Sequence, residues 1–414
     1  MKISILLPYK ENYSPNYPGA VSLFVDATTK VSKYKKNITI FGNTIFKKKL
    51  FGKYKNIELT NNNLLLSKSF IYVKRFIESQ KKINSDIIEI HNRPNYINKI
   101  KILNKKIVLY FHNDPVTMLG SKTIKERINL LNDCEKIIFN SEWSKKQFLT
   151  NLNNFYQKSE KLEVIHQSIN KEKIDLKKKK KIITFVGKLN KAKGYDLFGA
   201  AIIKILEKHK DWKANVIGDE PREKLLFEHK NLNLLGFQKH TKVLNIFKKT
   251  SIAVACSRWN EPFGRTSLEA SSRGCAVIIS DRGGLPETIT NGIIIRDLNV
   301  KNVFREIDEL IKNKKKTKKI QELSFKNFYL TDQYIAAKID NYRNKFFYPK
   351  KLLINNTKFP GKLKILHVTN FNERHNGRLF YNTGKRINNG LIRLGHSVLE
   401  FSDRDIVSYY RSLN

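Results

Sequence analysis

The sequence predicts an α/β protein of two doubly wound domains in series, followed by the incomplete β-α-β start of a further α/β unit. Three observations carry this reading. Short apolar runs alternate with helical stretches as far as Ile165, the alternation restarts after the lysine run Lys177 to Lys181, and it starts a third time at Leu363. Strands that alternate with helices build a parallel sheet covered on both faces.

In the first stretch, strands are expected at Ile3–Leu7, Ile38–Phe41, Asp86–Ile90, Ile107–Tyr110, Lys136–Phe139 and Leu162–Ile165. Helical patterns near Pro18–Tyr34, Ser67–Lys81, Ile124–Asn132 and Ser144–Leu149 fall between them. The lysine run at 177–181 reads as a solvated linker, as does the run at 314–319. The second stretch offers strands at Ile182–Val186, Ala214–Ile217, Leu232–Leu235, Ile252–Ala255 and Ala276–Ile279. Its helices are expected at Tyr195–Glu207, Thr241–Lys248 and Ser267–Arg273, with a helix over Gln333–Phe346 closing this second domain. The domains are therefore set at residues 1–175, 176–350 and 351–414. In the last of these, strand Lys364–Val368, helix Thr383–Leu394 and strand Ser397–Phe401 make one β-α-β unit. One such unit cannot bury both faces of its strands, so it reads as the opening of a truncated domain or as a segment that docks on the body.

Composition narrows the class. At 414 residues and 40% hydrophobic content the chain can build several cores, and no run reaches the roughly 20 apolar residues of a membrane span. The opening Met-Lys-Ile-Ser-Ile-Leu-Leu-Pro reads as a first buried strand rather than a signal peptide. Cys134, Cys256 and Cys275 are far apart and odd in number, as expected of buried thiols in a reducing cytoplasm. The formal net charge of +42 is extreme. Lys, Asn and Ile are enriched together, and all three have A/T-rich codons, so composition explains most of it. Peripheral contact with an anionic inner membrane surface is the second explanation. No aromatic-studded basic motif accompanies the lysines, so no nucleic-acid partner is expected.

The sharpest constellation is Glu261-Pro262-Phe263-Gly264-Arg265-Thr266-Ser267-Leu268-Glu269, directly after the Ile252–Ala255 strand. Two carboxylates flank a glycine-bearing strand-to-helix turn, whose free N–H groups suit a phosphate or a sugar oxygen. Such turns lie at the carboxyl ends of strands, where open α/β sheets bind ligands. Glu269 is placed to hold a ribose diol and Glu261 sugar hydroxyls. A capping box from Thr266 to Glu269 also accounts for Glu269, but not for Glu261 or for the Phe-Gly pair.

This segment resembles the paired-glutamate signature of retaining glycosyltransferases with the two-domain, Rossmann-like GT-B fold, particularly family four. Phe185-Val186-Gly187-Lys188-Leu189 followed by Lys193-Gly194 is similar to that family's diphosphate-binding loop, with Lys188 where arginine is usual. Ser280-Asp281-Arg282-Gly283-Gly284-Leu285-Pro286-Glu287 resembles its Gly-Gly-x-x-Glu turn, and Val164-Ile165-His166-Gln167-Ser168-Ile169-Asn170 its domain junction. Tyr110-Phe111-His112-Asn113-Asp114 resembles its strand-end histidine. The likeness covers roughly residues 1 to 350.

The resemblance implies transfer of a sugar, with retention, from a UDP-, GDP- or ADP-sugar to a glycan or lipid-linked acceptor, without metal or other cofactor. It assigns catalysis to His112 and Glu261, and the donor nucleotide to Gly187, Lys188, Lys193, Phe263, Gly264, Arg265 and Glu269. Gly19 falls where the family's glycine loop approaches the donor phosphate and the acceptor. A nucleotide-sugar epimerase of the same architecture is a second reading. An inactive or fragmentary binding protein is a third, motivated by Lys188 and the short last unit. Asp403-Arg404-Asp405 matches the metal motif of the other major glycosyltransferase fold, but two aspartates so spaced occur by chance. His91-Asn92-Arg93-Pro94 reads either as acceptor-side wall or as a turn that ends its strand.

Overall fold

The structure, a computed structural model, describes residues 2–59, 67–347, 362–369, 371, 383–402 and 406. Its first sheet contains β1 (Ile3–Leu6), β2 (Ile38–Gly42), β3 (Lys53–Asn56), β4 (Ile87–His91), β5 (Lys106–Phe111), β6 (Lys136–Phe139) and β7 (Leu162–Val164). All are parallel, in the order β3-β2-β1-β4-β5-β6-β7. Between them run α1 (Ala20–Val31), α2 (Lys68–Ile83), α3 (Ile97–Ile100), α4 (Ile124–Asp133), α5 (Glu142–Leu149) and α6 (Asn154–Gln157). The inner strands are mostly apolar runs because helices cover both faces, while the edge strand β3 is Lys-Tyr-Lys-Asn. Side chains alternate accordingly. Ile3, Ile5, Ile87, Val108 and Tyr110 pack towards Phe24 of α1, while Leu6, Ile88, Ile90, Leu109 and Phe139 pack towards Phe76 of α2 and Leu130 of α4.

The second sheet contains β8 (Lys180–Val186), β9 (Lys213–Ile217), β10 (Leu232–Leu234), β11 (Thr250–Ala255), β12 (Ala276–Ser280) and β13 (Ile293–Ile295). These too are parallel, in the order β10-β9-β8-β11-β12-β13. Its helices are α7 (Tyr195–Lys208), α8 (His240–Lys249), α9 (Arg265–Ser272), α10 (Val300–Lys312) and α11 (Lys314–Lys326). The two-domain α/β expectation therefore holds. In each sheet the strand order reverses at one point, between β1 and β4 and between β8 and β11, and such points open the crevice where doubly wound folds bind ligands.

Three expectations are corrected. The helix expected to close the second lobe, α12 (Asp332–Phe347), instead returns to pack on α1 of the first. Its Arg343 reaches both carboxylate oxygens of the buried Glu89 on β4 at 2.7 Å, and its Asp340 accepts from Ser32 at 2.7 Å. The run at 314–319 is not a linker but the start of α11. The run at 177–181 is only half a linker, since Lys180 and Lys181 begin β8 and Lys179 reaches inward to the carbonyls of Phe247 and Arg273. The chain thus passes between the lobes twice, after β7 and after α11. The two crossings are laced together by the Ile169 N–H to Leu330 carbonyl bond at 3.2 Å.

The chain divides into one compact unit ending at Phe347 and a second from residue 348 onwards. In the second, β14 (Lys364–Val368), α13 (Thr383–Arg393) and β15 (Ser397–Phe401) form the expected β-α-β unit, with the strands parallel from Lys364↔Ser397 to Val368↔Phe401. Leu366, Val368, Leu399 and Phe401 remain exposed there. The three cysteines are free and buried. Among the described residues no helix is long and apolar enough to cross a membrane.

Candidate active site

A cavity of about 260 Å³ opens between the carboxyl ends of the two sheets. On the second lobe, β8 leads into Gly187 and then the turn Lys193-Gly194. Gly194 sits at φ +72°, and a Cβ there would lie 1.8 Å from the Cys256 carbonyl, so only glycine admits the exit of β11. The Lys193 ammonium pairs with the Glu261 carboxylate and lies 5.0 Å from the centre of the Trp259 ring. Glu261 is held by its backbone, which bridges to Gly283 and accepts the Gly284 N–H at 2.6 Å. Gly264 follows at φ +109° as the N-cap of α9, with Phe263 buried before it.

The capping box does not form, because α9 has Gly264 as its N-cap and so begins two residues earlier than Thr266 would require. Glu269 instead lies behind the cavity wall. One of its oxygens accepts from His240 Nε2 at 2.8 Å and is in ion-pair contact with Arg265 Nε at 2.8 Å. Burial opposes ionisation of Glu269, but the His240 hydrogen bond and the Arg265 charge outweigh it and hold the carboxyl below its ordinary range. Arg265 itself lines the cavity, and its buried Nη1 has no hydrogen-bond partner among the described residues. A buried guanidinium nitrogen left unpaired beside a helix N-terminus is fitted to an anion.

The first lobe supplies Ala20, His112, Asn113 and Asn140, and the junction supplies Gln167. His112 is buried, and its ring faces Phe24 edge-on at 5.4 Å. Its backbone is fixed from two sides, by Asn92 Oδ1 accepting its N–H at 3.1 Å and by Asn140 Nδ2 donating to its carbonyl at 3.0 Å. Gln167 Oε1 and His112 Nδ1 are buried without partners among the described residues. Cationic groups thus stand on one side of the cavity, and neutral hydrogen-bonding groups on the other.

The lobes also touch through polar contacts. Ser141, the N-cap of α5, donates to the Pro262 carbonyl at 2.6 Å. Glu287 accepts the N–H groups of Glu142 and Trp143 at 2.7 and 3.0 Å, so a second-lobe carboxylate caps a first-lobe helix. His166 Nε2 lies 3.0 Å from the same carboxylate.

Of the residues singled out in the sequence, His112, Gly187, Lys193, Glu261, Phe263, Gly264 and Arg265 line the cavity together. Lys188, Glu269 and Gly19 do not. Lys188 is exposed. Gly19 caps α1 beside the Glu11 carboxylate, which accepts the Ser22 N–H at 2.9 Å and already occupies that helix start. Asp403-Arg404-Asp405 lies outside the described residues. Asn140 and Trp259 were not anticipated, and nothing in their local sequence marks them; Gln167 lies in the segment read as the domain junction but was not singled out as a site residue.

Residues 166–326 match the family described as Glycosyl transferases group 1. This stretch is a group 1 glycosyl transferase domain. The matched stretch spans the whole second sheet and carries both glutamates of the turn. The chain is 32% identical to spore coat protein SA of Bacillus subtilis over 162 residues, covering 35% of this chain and 43% of that protein. Over 328 residues it is 24% identical to a putative glycosyltransferase, YtcC, of the same species, covering 69% of this chain and 77% of that one. A lipopolysaccharide core biosynthesis mannosyltransferase, LpsB of Rhizobium meliloti, is 31% identical over 132 residues, or 30% of this chain and 37% of that protein. The match thus spans less than half the length of spore coat protein SA and of LpsB. Among solved structures, Anabaena HepE in complex with UDP superposes with a TM-score of 0.64 at 17% identity, over 83% of this chain and all of that one. That protein has also been solved with UDP-glucose. At such identity the likeness is one of fold, and the fold is GT-B.

Proposed function

We propose that the chain transfers a sugar from a nucleotide-sugar to a glycan or lipid-linked acceptor, with retention at the anomeric carbon as in family four. The observation that carries this is the convergence of Lys193, the unpaired Arg265 Nη1 and the start of α9 on one cavity wall, opposite His112. A nucleoside diphosphate leaving group gains negative charge as the glycosidic bond breaks, and preorganised cations and N–H dipoles stabilise it in that state. These groups meet the charge without a metal ion or other cofactor. Glu261, paired with Lys193, is placed to hold donor hydroxyls, and His112 to meet the sugar from the first lobe. Glu269 acts through Arg265, whose guanidinium it orients.

The lobe of residues 1–175, completed by the returning α12, takes the acceptor, and the second lobe, from residue 176 to the end of α11, takes the donor. The HepE complexes favour a UDP-sugar over a GDP- or ADP-sugar. The likeness to LpsB favours a lipid-linked acceptor. The net charge of +42 suits a cytoplasmic protein that touches an anionic inner membrane surface. Purified protein should release one nucleotide from a panel of UDP-, GDP- and ADP-sugars, and do so faster with lipid-linked glycans. Lys193→Ala and Glu269→Ala should remove that release. Isomerisation of the donor without an acceptor would establish the epimerase instead, and silence across the panel with no thermal shift from any nucleotide would overturn the proposal. Absence of binding to anionic vesicles at physiological salt would end the membrane reading.

A further inference from the structure

The segment His91-Asn92-Arg93-Pro94 stays out of the cavity wall, yet it holds a residue that lines it. Parallel register pairs His91 on β4 with Tyr110 on β5, so His91 and His112 project from the same sheet face. The His91 ring stacks on Tyr110 with centroids 4.2 Å apart and on His112 at 5.2 Å. His91 Nδ1 and His112 Nε2 are 3.0 Å apart. Behind this pair lie Tyr110, Tyr342, Glu89 and Arg343, joined by hydrogen bonds of 2.5 to 2.7 Å.

Both rings are neutral at ordinary pH. Burial and then the Arg343 charge lower His91 to about 3, while burial and His91 itself hold His112 well below its usual value. Two neutral imidazoles hold two N–H protons, and one of them occupies the shared hydrogen bond. The other must sit on His91 Nε2 or on His112 Nδ1, both buried and unpaired among the described residues. A proton on His91 Nε2 would be an orphan donor on a ring outside the cavity wall. A proton on His112 belongs to the ring that lines the cavity, where a ligand oxygen can accept it.

We infer that His91 is a positioning residue: its Nδ1–H donates to His112 Nε2 and fixes His112 as the Nδ1–H tautomer, a donor held ready for an oxygen in the cavity. That this oxygen belongs to the donor sugar rests on the proposed function; the tautomer does not.

The test is ¹⁵N NMR of histidine-labelled protein, with His112→Asn and His91→Asn to assign the signals. Ring shifts distinguish a protonated nitrogen from a bare one. At pH 7, His112 should show a protonated Nδ1 and a bare Nε2. His91→Phe keeps the stack on Tyr110 but offers no donor, so His112 should lose this fixed form. His91→Asn, which returns an N–H near the Nδ1 position, should restore it. In turnover, His91→Phe should lose about tenfold at unchanged UDP affinity, with recovery in His91→Asn. A protonated Nε2 on His112 in the wild type, or the same tautomer in His91→Phe, would overturn the inference. If the wild type neither binds UDP nor turns over a nucleotide-sugar, the proposed function falls, while the wild-type spectrum still decides the tautomer.

Discussion

Lys193 and Lys188 lie five positions apart in the same loop, but only Lys193 reaches the cavity and the Glu261 carboxylate. Lys193→Ala should therefore lower turnover by about 100-fold, as loss of one preorganised charge-stabilising group does. Lys188→Ala, at an exposed position, should change it by no more than about threefold. Steady-state kinetics on the two variants separates them. Glu269 makes a different prediction, because it titrates below its ordinary 4.5. Its contribution to stability is complete above that value and fades as pH falls through the lower, folded pKa. Glu269→Gln should melt below the wild type at pH 7, and the gap should close as the pH drops under about 4.5. Melts at stepped pH would reveal it. The residues legible in the sequence were those on short contiguous motifs, Glu261 to Arg265 above all, with Gly187, Lys193 and His112 at strand ends. Asn140 and Gln167 were not legible as site residues, and His91 was read as acceptor-side wall or strand-ending turn but not as the partner of His112, since β4, β5, β6 and the junction bring these groups together only after the sheet has formed.

Most elements were legible where apolar runs marked them, though β13 (Ile293–Ile295) and α10 (Val300–Lys312) were not anticipated. β3 (Lys-Tyr-Lys-Asn) escaped because it is an edge strand with little buried surface, so no alternation was required of it. In α11 the inward positions include the polar Thr317, Gln321 and Ser324, and Gln321 donates to the Ser251 carbonyl at 3.0 Å. A helix that buries polar groups through hydrogen bonds leaves only its lysines conspicuous, and they read as a linker. α12 was recognised as a helix but assigned to the wrong lobe, since chain order says nothing about a return crossing. Its anchor can be tested. Removing one partner of the buried Arg343–Glu89 pair strands a charge and should cost about 3–5 kcal/mol, so Arg343→Met should show that loss in denaturant melts. Pairing it with Glu89→Leu should recover most of the loss.

At the scale of the molecule, contacts between the lobes set the width of the cavity. Glu287 caps α5 from across the gap, and such a cap is worth about 1 kcal/mol. Glu287→Ala should shift the population of Met1–Phe347 towards wider separation of the lobes, visible as a larger radius of gyration in X-ray scattering and as weaker nucleotide binding by about fivefold. An unchanged scattering curve would show that the Ser141–Pro262 contact suffices alone.

The chain's double passage between the lobes makes their connection redundant. Residues 165–179 and 327–331 run side by side, bound at Ile169 and Leu330, with Lys171 Nζ reaching the Phe328 carbonyl at 3.4 Å. A protease that clips either passage leaves the other as a tether. The clipped protein would run as two bands on a denaturing gel and as one particle on a sizing column.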